Sequence, residues 1–174
     1  MDRFVGPPLL YSFQTEYGMT EEQAKEAITV YRTYFREKGM FENSVYPGIR
    51  ELLTALKEHG CSLYIATGKP TVYSEQILRY FELDGFFDLV SGVSLQEAEA
   101  GKEMLIRHIL QTCHVPPEQA VMVGDRCYDA EGAAACGIPC IGVTYGYGTR
   151  EELTEAGVCA LADSVEELQT ILLS

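Results

Sequence analysis

Ala120-Val121-Met122-Val123-Gly124-Asp125-Arg126-Cys127-Tyr128-Asp129 decides the fold of this 174-residue chain. Four apolar residues ending on glycine and aspartate predict a buried strand with a carboxylate at its tip. Gly124 permits the sharp turn, and a helix is expected around Ala130 to Ala135. That places Asp129 about one helical turn beyond Asp125.

The same alternation extends in both directions. Toward the C-terminus, Pro139–Val143 and Ala160–Ala162 are predicted strands. Thr149-Arg150-Glu151-Glu152 and Ser164-Val165-Glu166-Glu167 read as helix starts with hydroxyl caps. Toward the N-terminus, Lys102–Thr112 is a predicted helix with Met104, Leu105, His108 and Ile109 at helical spacing. A strand near Phe87–Val90, a helix over Thr71–Tyr80 and a buried strand over Ser62–Ala66 precede it. Pro47 opens a further helix, with Ile49, Leu52, Leu53 and Leu56 apolar, that stops at Gly60. Strands alternating with helices of this length predict an α/β fold with a parallel sheet covered on both faces.

Residues 1–45 have a different rhythm. Thr20-Glu21-Glu22-Gln23 is a capping box, and Ala24, Ala27, Ile28, Tyr31 and Tyr34/Phe35 follow at helical spacing up to a stop at Gly39. A shorter helix is expected after Pro7-Pro8, with Leu9, Leu10 and Phe13 on its buried side. The division is therefore a helical cap over 1–45 and an α/β core over 46–174.

Composition narrows the function classes. The net charge is −13, which argues against nucleic-acid and anionic-membrane partners. No apolar run approaches the roughly 20 residues of a membrane span, and the N-terminus has no signal-peptide pattern, so a cytoplasmic location is expected. The six cysteines form no C-x-x-C pair and read as reduced, buried thiols.

Three features fall at or near predicted strand ends, where open α/β sheets bind ligands. Thr67-Gly68-Lys69-Pro70 joins a hydroxyl and a flexible amide to a helix start. It suits a phosphate, or simply a turn with a capping threonine. Asp125 and Asp129 can share a hard cation such as Mg²⁺, or can serve as a cap and a first-turn acid. Lys102 is a cation in a first turn, where the helix dipole disfavours it; a solvated surface lysine is the plain alternative. Lys69 is a weaker candidate that solvent exposure would equally explain.

The order of these features resembles the haloacid dehalogenase superfamily, in its phosphoglycolate-phosphatase-like branch. Thr at a strand end, Lys some 35 residues later and G-D-x-x-x-D at a later strand end match that family's second, third and fourth motifs. Arg3-Phe4-Val5-Gly6-Pro7-Pro8-Leu9, Tyr46-Pro47-Gly48 and Gly142-Val143-Thr144-Tyr145-Gly146-Tyr147-Gly148 also resemble it, so the likeness runs from residue 3 to the C-terminus. The resemblance implies a Rossmann-like core and a Mg²⁺-dependent phosphatase acting on a small phosphorylated metabolite. It assigns phosphoryl contacts to Thr67 and the Gly68 amide, and charge neutralisation to Lys102. It assigns Mg²⁺ to Asp125, with Asp129 in direct or water-mediated support, and leaves Arg3 as a candidate substrate contact.

The family's first motif, D-x-D-G-T, supplies the nucleophile and the general acid/base. None of the six aspartates (2, 84, 88, 125, 129 and 163) forms D-x-D. In the family's sheet that motif ends a strand lying between those ending at Thr67 and Gly124. With strands about 4.8 Å apart, its omission leaves a slot about 9.6 Å wide. The expectation is that the native protein is longer and that this chain alone is inactive. The alternatives are a phosphate-binding module without turnover, a core completed by a complementing N-terminal segment or partner strand, and a phosphomutase.

Overall fold

The computed structural model describes residues 9–95 and 100–174. Arg3, the candidate substrate contact, lies outside the described residues. The chain divides into two compact units, Met1–Ser44 and Val45–Ser174.

The first unit is helical. Helix α1 spans Leu9–Tyr17 and α2 spans Glu21–Glu37, followed by a short 3-10 turn over Gly39–Phe41. The capping box is present: the Thr20 side chain accepts from the Gln23 amide, and the Gln23 side chain accepts from the Thr20 amide. Ala24 and Met40 are buried. In α1 the most buried residue is Ser12, while Leu9, Leu10 and Phe13 are only half-buried, a shift from the expected apolar face.

The second unit is a parallel α/β fold. It runs α3 (Ile49–Glu58), β1 (Tyr64–Pro70), α4 (Thr71–Tyr80), β2 (Leu89–Val93), α5 (Lys102–Thr112), β3 (Met122–Gly124), α6 (Cys127–Ala135), β4 (Cys140–Val143), α7 (Arg150–Glu155), β5 (Ala160–Ala162) and α8 (Val165–Leu172). Helices begin and end where local chemistry dictates. Gly48 enters α3 in the left-handed region, Thr149 caps α7 through the Glu152 amide, and Ser164 caps α8 through the Glu167 amide.

The strands form two sheets rather than one. β1 pairs with β2, and β3-β4-β5 form a separate three-stranded sheet, all pairs parallel. Among the described residues β1 and β3 are not paired, so each presents a free edge. This corrects the expectation that Ser62–Ala66 and Ala120–Val123 are buried strands: Ile65, Ala66, Met122 and Val123 are half-buried and Val121 is 43% exposed. An apolar run is buried only as far as neighbouring strands and helices cover it.

Helices cover the larger sheet on both faces. Leu52 and Leu56 of α3 and Leu168 of α8 pack on Ile141, Val143 and Ala162. On the other face, Ile106 of α5 and Ala130 and Ala133 of α6 pack on Cys140, with Ala66 of β1 and Met122 of β3 against the same cluster. Helix α5 thus touches residues of both sheets. All six cysteines are free, but only Cys136 and Cys140 are buried. Cys61 and Cys159 are exposed because they sit in the connections after α3 and α7.

Candidate active site

Lys102 links β1 to the turn that follows β3. It is the first residue of α5, and its Nζ donates to the Ala66 carbonyl of β1 at 2.9 Å. The same ammonium pairs with Asp129 Oδ1 of α6 at 2.8 Å. Its side chain is 19% exposed and that of Asp129 is 9% exposed, so the pair is largely withdrawn from solvent. The cation disfavoured by the dipole of α5 is held by a carboxylate from the next helix.

Asp129 uses its other oxygen on the backbone. Oδ2 accepts from the Asp125 amide at 3.1 Å and the Arg126 amide at 3.2 Å. The first-turn capping reading of Asp129 therefore describes one half of its carboxylate, and the lysine pair describes the other. Both oxygens are engaged.

Asp125 is half-buried at the tip of β3. Its Oδ2 accepts from the Tyr147 amide at 2.8 Å; among the described residues Oδ1 has no hydrogen-bond partner. Three tyrosines lie around it. Tyr46 and Tyr145 meet edge to face at 5.2 Å between ring centroids. Burial raises both phenols above their ordinary range; the neighbouring Tyr147 adds to this at Tyr46, Tyr46 adds to it at Tyr145, and the Asp125 charge adds to it at both.

Missing side chains make these approaches possible. A Cβ on Gly124 would fall 2.2 Å from Asp129 Cβ, and one on Gly132 would fall 2.7 Å from Lys102 Cβ. A Cβ on Gly146 would lie 2.3 Å from Asp125 Cβ, and one on Gly148 would lie 2.0 Å from the Asp125 carbonyl oxygen. Glycine at these four positions is a requirement of close packing, so any side chain there displaces a site residue.

Glu152 fixes the loop from below. Its Oε1 accepts from Arg126 Nε at 2.8 Å and from the Cys127 amide at 2.9 Å. Burial pushes its carboxyl up, but these hydrogen bonds and the Arg126 charge outweigh burial and leave it below the ordinary value.

On β1, Thr67 is half-buried and its Oγ1 accepts from the Lys69 amide at 3.2 Å, while Gly68 is exposed. The strand does not end at Ala66 as expected but continues to Pro70 through an irregularity. Ala66 faces Ser91 and Pro70 faces Val93, so Thr67, Gly68 and Lys69 together oppose Gly92 alone. Bulges of this kind re-aim side chains at sheet edges and beside active sites. The Lys69 ammonium is lowered from its ordinary value, first by burial and then by the Lys102 charge, with Asp125 acting in the opposite sense. Lys69 therefore stands within electrostatic reach of both.

As a cation site the arrangement is open. Among the described residues no three His, Cys, Asp or Glu side chains cluster to enclose a metal. One carboxylate oxygen at Asp125 fits Mg²⁺, which binds through one or two carboxylates, substrate phosphate and water. Lys102, Asp125 and Asp129 lie together at the carboxyl ends of the strands, the Lys102 contact with Ala66 ties the adjoining Thr67 bulge to them, and Arg3 lies outside the described residues.

The haloacid dehalogenase-like hydrolase profile matches residues 1–143. The chain belongs to that family. It is 44% identical to a Pseudomonas aeruginosa protein named 5'-nucleotidase, over 88% of this chain and 69% of that protein. It is 35% identical to the tyrosine-protein kinase PtkA of Mycobacterium tuberculosis, over 97% of this chain. This haloacid-dehalogenase-like chain spans only 58% of PtkA's length. A crystal structure of a predicted phosphatase from Clostridium acetobutylicum superposes with a TM-score of 0.93 at 48% identity, covering 99% of this chain and 80% of that one. Proteins named phosphoglycolate phosphatase are more distant relatives. These likenesses bear out the family read from the motifs, and the Rossmann-like fold with it. Among the described residues no helix is long and apolar enough to cross a membrane.

Proposed function

We propose that this chain carries the phosphate clamp of a Mg²⁺-dependent phosphatase for small phosphorylated metabolites. The observation that carries the reading is the double engagement of Lys102, which fixes an ammonium between the end of β1 and the Asp125–Asp129 turn. Family membership and the names of the relatives support a phosphatase.

Thr67 Oγ1 and the Gly68 amide take the transferring phosphoryl oxygens, and Lys102 neutralises their charge. Asp129 is a positioning residue: it holds Lys102 and the Asp125 backbone, and supports the cation indirectly. Asp125 offers Oδ1 to Mg²⁺, which when bound supplies charge stabilisation to the phosphoryl oxygens. A rigid clamp of this sort acts by position and preorganised charge. The nucleophile and the acid/base belong to an Asp-x-Asp strand, and the reading places that strand between β1 and β3. The free edges of these two strands support that placement.

Those edges also favour a second reading, in which the strand comes from a complementing segment or partner and the chain by itself binds phosphate without turnover. One assay separates the two. Phosphate release from a panel of phosphomonoesters is measured for this chain and for the chain extended by an Asp-x-Asp strand. Release by the extended chain alone supports the first reading. A folded extended chain that binds phosphate with Mg²⁺ but releases none leaves only the second. Transfer to an acceptor hydroxyl in place of release to water would replace both with a phosphotransferase.

A further inference from the structure

We infer that Glu152 is a positioning residue for the cation site: it holds the Arg126 guanidinium to itself, so that Asp125 meets Mg²⁺ without a competing positive charge. The inference rests on the reading of Asp125 as the Mg²⁺ carboxylate and deepens it.

The need for it lies in the sequence. Arg126 follows Asp125 directly, so a permanent cation stands one residue from the carboxylate that is to hold a metal. Left uncompensated, a guanidinium there repels a dication and offers the carboxylate a rival partner. The segment Gly146–Gly148 packs against both side chains. A Cβ on Gly146 would lie 2.4 Å from Asp125 Oδ2, and one on Gly148 would lie 3.4 Å from Arg126 Cδ.

Helix α7 removes the conflict. Leu153 is fully buried and anchors that helix, and Thr149 caps it through the Glu152 amide. From this fixed backbone Glu152 Oε1 accepts from Arg126 Nε at 2.8 Å and from the Cys127 amide at 2.9 Å. The Arg126 and Glu152 side chains are only 15% and 25% exposed, so salt screens their attraction weakly. The guanidinium also stands over the Tyr128 ring, 5.6 Å from its centroid, which fixes its direction further.

The pairing of charges leaves Asp125 distinct. Asp129 is paired with Lys102, and Glu152 with Arg126. Of these three carboxylates, Asp125 is the one without an ion pair among the described residues; its Oδ2 accepts from the Tyr147 amide instead. The backbone is held by the same two partners. Asp129 takes the amides of Asp125 and Arg126, and Glu152 takes that of Cys127. Glu152 thus completes on Arg126 what Asp129 does on Lys102: it neutralises a neighbouring cation and steadies the turn that presents Asp125.

The test is a titration of the full chain with Mg²⁺ alone, followed by NMR at the amides of Asp125 and its neighbours. Glu152→Gln keeps the length of the side chain and an oxygen for the Cys127 amide, but removes the charge that holds Arg126. Its Mg²⁺ affinity is expected to fall about 10-fold, the lower end for loss of an outer partner of a metal site. The double variant Arg126→Met, Glu152→Gln is expected to recover most of that loss, because the competing cation is gone. A glutamate that merely shaped the turn would leave the double variant as weak as Glu152→Gln. That result, or a Glu152→Gln chain as tight as the parent, overturns the inference while Asp125 keeps its role. No Mg²⁺ binding by the parent overturns the reading of Asp125 and the inference with it. Should Glu152→Gln unfold in a urea control, Arg126→Met alone decides: binding no weaker than the parent's supports a competing guanidinium, and weaker binding contradicts it.

Discussion

Lys102 Nζ and Asp129 Oδ1 meet at 2.8 Å across the α5–α6 interface, and the ammonium also holds the Ala66 carbonyl of a strand in the other sheet. One side chain therefore ties β1, through Asp129, to the turn that carries Asp125. Its loss is expected to be both structural and functional.

Lys102→Met leaves Asp129 largely buried without its counter-charge. Breaking one partner of a buried pair costs about 3–5 kcal/mol, and the residual exposure of Lys102 puts the expected loss near the low end. Urea unfolding measures it. A variant as stable as the parent would mean that the pair is open to solvent.

Gly132→Ala tests the same interface sterically. The added methyl would fall 2.7 Å from Lys102 Cβ and 3.0 Å from the Glu103 amide, so either the helix or the lysine must shift. Overpacking of this kind costs about 1–3 kcal/mol. Gly85→Ala, with open space around its Cβ, serves as the control and is expected to change the midpoint little. Equal midpoints for the two variants would contradict the packing described.

Asp125 and Asp129 are expected to separate in Mg²⁺ titrations. Asp125 has an uncommitted oxygen, whereas both oxygens of Asp129 are engaged by Lys102 and two amides. Loss of an indirect supporter typically lowers metal affinity about 10–100-fold. Asp129→Asn should lose affinity within that range, and Asp125→Asn should lose more. Matching affinities in the two variants would show that the carboxylates share the ion equally.

Glu152 gives the site a pH signature. Its carboxyl lies below the ordinary value in the folded protein, so the folded state favours the charged form. That stability is complete above the unfolded value of about 4.3 and is lost as pH falls through the lower folded value. The difference in urea midpoint between the parent and Glu152→Gln is therefore expected to shrink between neutral pH and pH 3. A constant difference would mean that the carboxylate charge contributes nothing.

Local signals made much of this legible in the sequence. The capping box at Thr20, the caps at Thr149 and Ser164, and the start of α5 at Lys102 all depend on neighbours within four residues. The strand tip at Gly124-Asp125 was legible because apolar runs and turn residues are local too. What was hidden depends on tertiary neighbours. The bulge beyond Ala66 exists because β1 rejoins β2 at Pro70, and nothing in Thr67-Gly68-Lys69 alone announces that pairing. Gly132 and Gly146 look like any other glycines until Lys102 and Asp125 arrive against them. Glu152 reads as a first-turn acid of α7, and only the fold brings it to Arg126 and Cys127. Half-buried β1 and β3 show the reverse error: apolar content signals a strand but does not say what covers it.

The most direct test of the central claim is amide chemical-shift mapping by NMR as inorganic phosphate is titrated into the chain with Mg²⁺. If Thr67, Lys102, Asp125 and Asp129 form one clamp, the largest shifts fall together on the amides of Gly68, Lys69, Asp125 and Arg126, and Lys102→Met abolishes them. Shifts scattered over other surfaces, or the same shifts in Lys102→Met, would contradict it.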